Sequence, residues 1–256
     1  MRKMMALAIL LAATASPLVA QTLGDGMIEI PLRVDGGRLL VPVRAPDGTL
    51  FEFFLSTGNA TTLTESLVAR LGDQPGLTLG DTSVPVEGAQ TVPDEQLMAD
   101  GRAFDGILGS STLNQFDVLV DVPGERLVLK PIGPAVTWEG MTLSEPTRVR
   151  VFHGLLMELD VELNGTAYRA MLDLGTTSLV VNEPLGAAED LGEEGVATFR
   201  LGDEAATELP VRVRDLEIFK RWDPNNEGFI IVGAPVALDC AISLSWVHRE
   251  IRTCVR

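Results

Sequence analysis

Two stretches of the sequence each end an apolar run at a short turn that carries a polar side chain. The first is FEFFLSTGNATT, in which Ser56 and Gly58 follow the run, and the second is YRAMLDLGTTSLVV, which has Asp173 and Gly175 at the turn. The offset 173 − 56 = 117 carries Ser56 onto Asp173 and Gly58 onto Gly175. A carboxylate can act as a general acid or base, whereas a serine hydroxyl near neutral pH can only hydrogen-bond a water or a carbonyl. The two turns therefore hold one acid–base group between them.

The same offset recurs in the hairpin signals before these turns. Asp47-Gly48-Thr49 and Asn164-Gly165-Thr166 are both hairpin-turn signatures, and 165 − 48 is again 117. Further along the chain, DGILGSSTLNQFDVLVDVPGERLVL and GFIIVGAPVALDCAISLSWVHREI align with Gly109 on Gly233, at an offset of 124. Two related units of about 110 residues, each built of short alternating strands and tight turns, are the simplest account.

Few segments of the sequence favour helices, and one segment is typical of a linker. Residues 64–71 and the segment around Leu113 are the helix candidates. Residues 131–146 have low periodicity and are punctuated by glycine and proline. We therefore predict one domain over residues 21–135 and a second over residues 147–256, joined by a linker at 136–146.

The order of these motifs resembles a known family. A strand ending in Asp-Thr/Ser-Gly, a flap hairpin, and then two apolar residues and a glycine before a final hairpin is similar to the retropepsin-like and pepsin-like aspartic proteases. Ile107-Leu108-Gly109 and Ile231-Val232-Gly233 match the apolar-apolar-glycine element, and DGILGSSTLNQFDVLVD is the most specific match. The resemblance spans two tandem copies and implies an all-β, bilobal acid-protease fold, with two related β-barrel lobes and a central cleft. A generic pair of all-β hairpin domains is the alternative, because alternation and turns alone do not distinguish the two.

The two copies depart from the family at the residues that carry its chemistry. In the family two carboxylates share one proton, and one acts as base on a water while the other polarises the scissile carbonyl. Here Ser56 stands where the first carboxylate is expected, within about 3 to 6 Å of Asp173. The family also braces the turn through a Thr or Ser that hydrogen-bonds to the opposite loop, which Thr57 can do and Leu174 cannot. The site residues that the resemblance implies are Asp173, Ser56, Thr57, Gly58 and Gly175.

Each unit is also expected to carry a hairpin flap that closes over a bound peptide. In the first unit the stretch DTSVPVEGAQTVPDEQ has Gly88 near its centre, which we predict to be the tip of a substrate-binding flap. In the second unit the stretch RWDPNNEG, residues 221–228, is the predicted flap.

Two functions follow from these features. The favoured one is a pseudoenzyme of the protease fold, with lost or much reduced peptidase activity, whose cleft binds an extended peptide or a partner protein. The other is an active aspartic endopeptidase in which Asp173 works with an unidentified second carboxylate or with Asp173 of a second chain. The sequence alone does not place Glu52, Asp105 or any other acid within reach of Asp173. Pairing between chains is awkward because the chain already carries the partner lobe, so we expect a monomer.

Other site chemistries find little support. Ser56 as a nucleophile would need a histidine base, and neither His153 nor His248 lies in a recognisable motif. The sequence has neither a glycine-rich nucleotide loop nor a His/Cys cluster with metal-ligand spacing. We therefore expect no cofactor and no metal.

The amino-terminal segment has the pattern of a secretory signal peptide. Arg2 and Lys3 precede an apolar run, and small residues follow it, so residues 1–20 are the predicted signal, with cleavage after Ala20 or, alternatively, after Ala15. A retained membrane anchor is the alternative. The expected location is therefore periplasmic or secreted.

The charge of the chain bears on its partners. The net charge of −16 becomes −18 when the segment carrying Arg2 and Lys3 is removed. Such an acidic surface repels phosphate backbones and anionic headgroups, which argues against binding to nucleic acid or to a membrane after signal cleavage.

The two cysteines are predicted to form a disulfide. Cys240 and Cys254 are the only cysteines, and an exported chain meets oxidising conditions. Their midpoint, residue 247, falls in the turn of the last hairpin, which would place them directly opposite each other on adjacent antiparallel strands. A pair of buried free thiols is the alternative.

Overall fold

The computed structural model describes residues 21–22, 26–72, 76–80, 82–84, 89–99, 101–202, 207–225 and 227–254. The predicted signal segment 1–20 and the predicted flap tip Gly88 lie outside these residues. The fold is all-β with two lobes, as the sequence predicts.

The described strands and helices are short. In chain order the strands are β1 (Gln21–Thr22), β2 (Ile28–Pro31), β3 (Arg33–Asp35), β4 (Arg38–Arg44), β5 (Leu50–Leu55), β6 (Thr62–Thr64), β7 (Leu77–Leu79), β8 (Thr82–Val84), β9 (Gln90–Val92), β10 (Met98–Ala99), β11 (Arg102–Ala103), β12 (Gly106–Leu108), β13 (Phe116–Asp121), β14 (Arg126–Pro131), β15 (Thr147–Arg148), β16 (Arg150–Phe152), β17 (Leu156–Leu163), β18 (Thr166–Leu172), β19 (Leu179–Val181), β20 (Glu194–Leu201), β21 (Thr207–Val213), β22 (Phe229–Val232), β23 (Ile242–Ser245) and β24 (Glu250–Thr253). The helices are α1 (Glu65–Leu71), α2 (Ser110–Leu113), α3 (Glu183–Ala188), α4 (Glu217–Trp222) and α5 (Pro235–Leu238).

The first lobe is built on one strongly bent sheet. Its strands follow the order β8-β7-β4-β5-β12-β6-β9, with β3 beside β4. Strand β5 lies between β4, to which it is antiparallel, and β12, to which it is parallel. Phe51, Phe53 and Leu55 alternate along it and are buried in the core, which is the period of two that a half-buried strand requires.

The second lobe repeats this order and closes it. Its strands follow β16-β17-β18-β22-β19-β21-β20, and β20 also pairs with β17, which completes a six-stranded barrel. The first lobe is a half-barrel, because no described residues pair β8 with β9 across its open side. The predicted pair of barrels is thus one closed and one open barrel. In the described residues β20 and β21 have 8 and 7 residues, while β7, β8 and β9 have three each.

A third sheet joins the two halves of the chain. Its order is β1-β2-β14-β13-β23-β24-β15, in which β13 of the first half pairs with β23 of the second. The predicted linker crosses one face of this sheet. Trp138 donates a hydrogen bond from Nε1 to Ser243 Oγ at 2.7 Å and packs beside Leu119 and Val128.

The predicted hairpin turns are present in both lobes. Asn164 and Gly165 form a two-residue turn between β17 and β18, and both have positive φ, +50° and +84°, as such a turn requires. The β4–β5 hairpin closes through a five-residue loop instead, in which Gly48 has φ +86° and Asp47 Oδ1 accepts from Thr49 N.

Both predicted helices are confirmed. Helix α1 begins after Thr64, whose side chain accepts from Leu67 N, and α2 contains Leu113. In the second lobe α3 takes the place of α1, and Asn182 caps it by accepting from Leu185 N. The repeat inferred from sequence offsets thus extends to helix capping.

The Cys240–Cys254 disulfide is present, with the two Cα atoms 5.5 Å apart. The predicted direct opposition of the two cysteines is wrong by one residue. Strand β23 pairs with β24 so that Ile242 faces Thr253, and Cys254 N donates to Ala241 O. The four-residue turn 246–249 shifts the strand register by one residue from the predicted one. The disulfide therefore joins two cysteines that are offset by one position across the strands.

Candidate functional site

The two turns singled out in the sequence meet at the junction of the lobes. Ser56 follows β5 directly and Asp173 follows β18 directly, and Ser56 Oγ donates a hydrogen bond to Asp173 Oδ1 at 2.7 Å. The two side chains lie in one place, as predicted, but closer than the expected distance of about 3 to 6 Å, because they bond directly rather than through a water. One side chain from each half of the chain therefore forms the centre of the site.

The backbone around the two residues is arranged in the same way in each lobe. Ser56 and Asp173 each donate their N–H to the last residue of the neighbouring strand. In each lobe the residue after the matched glycine, Gly109 or Gly233, donates its N–H to the loop that follows the turn. The matched hydrogen bonds are Ser56 N to Leu108 O (3.1 Å) with Asp173 N to Val232 O (2.9 Å), and Ser110 N to Asn59 O (2.7 Å) with Ala234 N to Thr176 O (2.8 Å). The backbone arrangement that positions Ser56 in the first lobe is thus the same as the one that positions Asp173 in the second.

Glycines make this close packing possible. A Cβ placed on Gly109 would lie 2.2 Å from Ala60 C, and one on Gly233 would lie 2.3 Å from Ser178 O. The loop after each turn therefore packs directly on the backbone of the apolar-apolar-glycine element.

The turn glycines leave room for the facing side chains. A Cβ placed on Gly58 would lie 2.5 Å from Asp173 Cγ, and one on Gly175 would lie 2.8 Å from Ser56 Cβ. The side chain of Asp173 thus lies over Gly58, and the side chain of Ser56 lies over Gly175. The position over Gly175 is equivalent to the one that the Asp173 carboxylate fills over Gly58.

One oxygen of Asp173 is saturated with donors. Oδ1 accepts from Ser56 Oγ, from Gly58 N at 3.2 Å and from Gly175 N at 2.9 Å. No described residue donates to Oδ2. This oxygen is not fully buried, and Asp173 as a whole is 7% exposed. Oδ2 is therefore the oxygen through which the carboxylate can meet a ligand.

Ser56 is held on both sides and is shielded from solvent. Its Oγ accepts from Asn59 Nδ2 at 2.9 Å while it donates to Asp173, and its exposed fraction is 0%. His153 lies in the turn between β16 and β17, and His248 contacts Gly133 O through Nε2. Neither histidine contacts Ser56 in the described part of the chain, so the arrangement does not provide a serine nucleophile with a base.

Thr57 braces the two turns together. Its Oγ1 donates to Leu172 O at 3.0 Å and accepts from Leu174 N at 3.1 Å, and both Thr57 and Leu174 are fully buried. The expectation that Thr57 can make this contact and Leu174 cannot is confirmed. The side-chain brace comes from the first lobe only, because the side chain of Leu174 has no hydrogen-bonding group.

The two candidate second carboxylates lie elsewhere. Glu52 is four residues before Ser56 along an extended strand, about 13 Å away, and it is bound by Arg33 and Arg102. Asp105 Oδ2 accepts from Glu52 N at 2.9 Å, and burial raises the pKa of the Asp105 carboxyl above its usual range. Within the described ranges Asp173 has no carboxylate among its hydrogen-bond partners.

The predicted flap of the second lobe is wrong. Residues 221–225 and 227–228 form the end of α4 and a turn, and these described residues contain no hairpin. Asp223 in this segment is buried and accepts from Asn182 Nδ2, Glu227 N and Gly228 N, so the Asp-Pro signal belongs to a structural turn. The hairpin between the turn and the glycine element is β20–β21, and the alternation of Val196, Thr198 and Arg200 with buried residues is the signal that could have found it.

Two residues near the site were missed by sequence reasoning. Asn59 was within reach of such reasoning, because it lies three residues after Ser56 in the same turn. Arg38 was not, because its Nη1 donates to Gly175 O at 3.1 Å across the two lobes, from 137 residues away. No periodicity or spacing reports a contact of that separation.

The described residues contain no group of three or more His, Cys, Asp or Glu side chains placed to hold a metal ion. None of the helices in these parts of the chain is long and apolar enough to cross a membrane.

No protein-family model matches the chain, and no curated protein shows significant similarity to it.

Proposed function

We propose that this chain is an exported protein of aspartic-protease-like architecture that has lost most or all peptidase activity and binds an extended peptide or partner protein between its lobes. The observation that carries the proposal is the 2.7 Å contact between Ser56 Oγ and Asp173 Oδ1. A hydroxyl and a carboxylate occupy equivalent positions in two matched turns, where a two-carboxylate hydrolase needs two acids.

Without the second acid, the site lacks one of the two groups that transfer protons during hydrolysis. With Asp173 as the only carboxylate that the described residues bring to the two turns, the site has one group to serve as both base on water and acid toward the leaving amine. Positioned acid–base catalysis contributes about 10²–10⁴-fold, and paired groups act as a unit, so hydrolysis should be slower by several orders of magnitude than for a complete pair.

Groups left open at the two turns support the binding of an extended peptide. Asp173 Oδ2 is open, and the partly exposed backbone of Gly58 and Gly175 flanks it. An extended peptide offers N–H and C=O groups to such a surface at every residue. Export to the periplasm or the medium is supported by the Cys240–Cys254 disulfide, since disulfides persist mainly in oxidising compartments.

The decisive experiment restores the second acid. Ser56→Asp should raise cleavage of an unfolded protein substrate at acid pH, and adding Asp173→Asn to this variant should abolish it. Ser56→Asn is the matched control, because it adds nearly the same volume without a carboxyl group. A wild-type chain that cleaves at the rate of a complete carboxylate pair, and loses that activity on Asp173→Asn, would show instead that the chain is an active endopeptidase.

A binding assay tests the other half of the proposal. Unfolded peptides should bind the wild-type chain, and Asp173→Leu, which removes the open oxygen, should weaken binding. If no peptide from a broad library binds while the folded state is intact, the cleft is not a peptide site.

A further inference from the structure

A second candidate site lies on the outer face of the first lobe. A cavity of about 570 Å³ opens over the β4–β5 hairpin, where Pro31, Leu40, Pro42, Leu50, Glu52 and Asp105 are among its lining residues. Cavities of 300–1,000 Å³ are the usual size for small-molecule sites. Glu52 lies four residues from Ser56 on β5, so the cavity is separate from the Ser56–Asp173 turns.

The walls of the cavity are mainly apolar. Strands β4 and β5 bury Val41 and Phe51 on their inner face, and their alternation turns Pro42 and Leu50 outward. Leu50 is 44% exposed although it is a large aliphatic residue. Burying this side chain against a hydrocarbon group would gain roughly 25 cal/mol for each Å² removed from water, so the cavity favours a ligand with an apolar body.

The charged groups at the cavity are not balanced. Arg33 and Arg102 both bind Asp35 and Glu52, which makes a closed network of two cations and two anions. Asp105 and Glu125 also line the cavity, and neither forms an ion pair with any residue that the structure describes. The charge of Arg70 acts to lower the pKa of Asp105, but Arg70 forms no ion pair with it in the described residues and stacks on the ring of Phe51. Asp105 and Glu125 therefore have no direct ion-pair partner at an apolar cavity.

The setting of Asp105 favours a cationic partner. Its Oδ2 accepts from Glu52 N, and burial is the main cause that raises its pKa. A cation beside the carboxyl group would offset this desolvation of the ionised form. The net charge of −16 adds a long-range attraction for cations.

From these observations we propose that the cavity over the β4–β5 hairpin binds a small amphipathic organic cation, namely a protonated amine on an apolar chain or ring. The apolar body lies against Leu50 and Pro42, and the ammonium group lies at the acidic rim formed by Asp105 and Glu125. Nothing in this proposal depends on the function of the Ser56–Asp173 site.

The test compares three probes that share one chain length. Octylammonium, octanol and octanoate are titrated into the full chain while backbone amide shifts are recorded. We expect octylammonium to shift the amides of residues 32, 33, 40, 41, 50–52 and 105, octanol to bind at least roughly tenfold more weakly, and octanoate not to bind. Equal binding of the three probes, or shifts centred on Ser56 and Asp173, would overturn the proposal.

Two variants test the roles of charge and access. Asp105→Asn keeps an acceptor for Glu52 N and should weaken octylammonium binding roughly tenfold or more while leaving octanol binding unchanged. Leu50→Lys tethers a competing ammonium at the exposed rim and should abolish octylammonium binding, whereas Leu50→Gln should reduce it only modestly. Glu193→Gln, at a side chain 85% exposed on the other lobe, is the control for general charge effects. Loss of binding in this control equal to that in Asp105→Asn would mean non-specific attraction and would refute the site.

Discussion

At the scale of single residues, the site depends on a hydroxyl that joins the lobes. Thr57 Oγ1 satisfies a carbonyl and an N–H of the opposite turn, and it is fully buried. Thr57→Val keeps the shape but leaves Leu172 O and Leu174 N without a partner. Because each buried unsatisfied group costs about 1–3 kcal/mol, we expect the free energy of unfolding to fall by roughly 2–4 kcal/mol.

Urea unfolding checks this prediction, with Thr57→Ser as the matched control. Serine keeps the hydroxyl and removes one methyl group, so its loss should be about 1 kcal/mol. Equal losses in the two variants would show that packing of the methyl group, not the hydrogen bonds, is what Thr57 provides.

Tyr168 offers a second prediction at this scale, because it is the only tyrosine of the chain. Its hydroxyl donates to Glu189 Oε1, and burial together with the Glu189 carboxylate raises the pKa of Tyr168 to about 12. The folded state thus favours the neutral phenol. This contribution to stability is fully present below pH 10 and is lost as the pH rises through 12.

Phenolate absorbance measures this titration directly. We expect a midpoint near pH 12 in the folded chain, a midpoint near pH 10 in urea, and an intermediate value for folded Glu189→Gln, which removes the charge. A folded-state midpoint at pH 10, with circular dichroism showing an intact fold, would contradict the hydrogen bond.

The sequence predicted the centre of the site but not its surroundings. An offset of 117 residues was enough to bring Ser56 and Asp173 together, because a tandem repeat places equivalent turns about one symmetry axis. Arg38 was beyond reach, because its contact with Gly175 depends on how the lobes pack. Short sequence patterns predict the geometry of neighbouring residues, but no short pattern predicts how the two lobes pack against each other.

At the scale of elements, the accuracy of prediction followed the strength of local signals. The hairpin turn Asn164-Gly165 and the capped helix α1 were found because glycine and cap residues act within a few residues. Helices α3, α4 and α5, of four to six residues, were not predicted, and the end of α4 at Asp223 depends on a tertiary contact with Asn182. The segment Asp223-Pro224-Asn225 forms a turn and not the predicted flap.

The position of β5 within its sheet gives a prediction about local stability. This strand is paired on both sides and carries Phe53 and Leu55 at 0% exposure, whereas among the described strands β8 pairs with β7 alone. Amide exchange in β5 should therefore be slowed nearly to the limit set by global unfolding, and exchange in β8 should be faster by several orders of magnitude. Hydrogen-exchange mass spectrometry of the native chain measures both, and equal protection of the two strands would contradict the open half-barrel.

At the scale of the whole molecule, the third sheet makes the two lobes depend on each other. It draws β2, β13 and β14 from the first half and β15, β23 and β24 from the second, so neither half contains a complete sheet of its own there. The sequence indicated two tandem units but not this sheet. Pairing between β13 and β23 joins residues more than 100 positions apart, which no motif records.

This shared sheet predicts that the two lobes unfold together. Leu244 is fully buried on β23 and lies opposite Val118 of β13. Leu244→Ala should cost about 2–5 kcal/mol as a buried large-to-small change. Leu244→Ala should lower the free energy of amide exchange in β5 and in β18 by the same amount, because unfolding of either lobe disrupts the shared sheet. Val196→Ala, at a position 61% exposed on β20, should change neither. If Leu244→Ala weakens β18 alone and leaves β5 unchanged, the lobes are independent folding units and the shared sheet does not couple them.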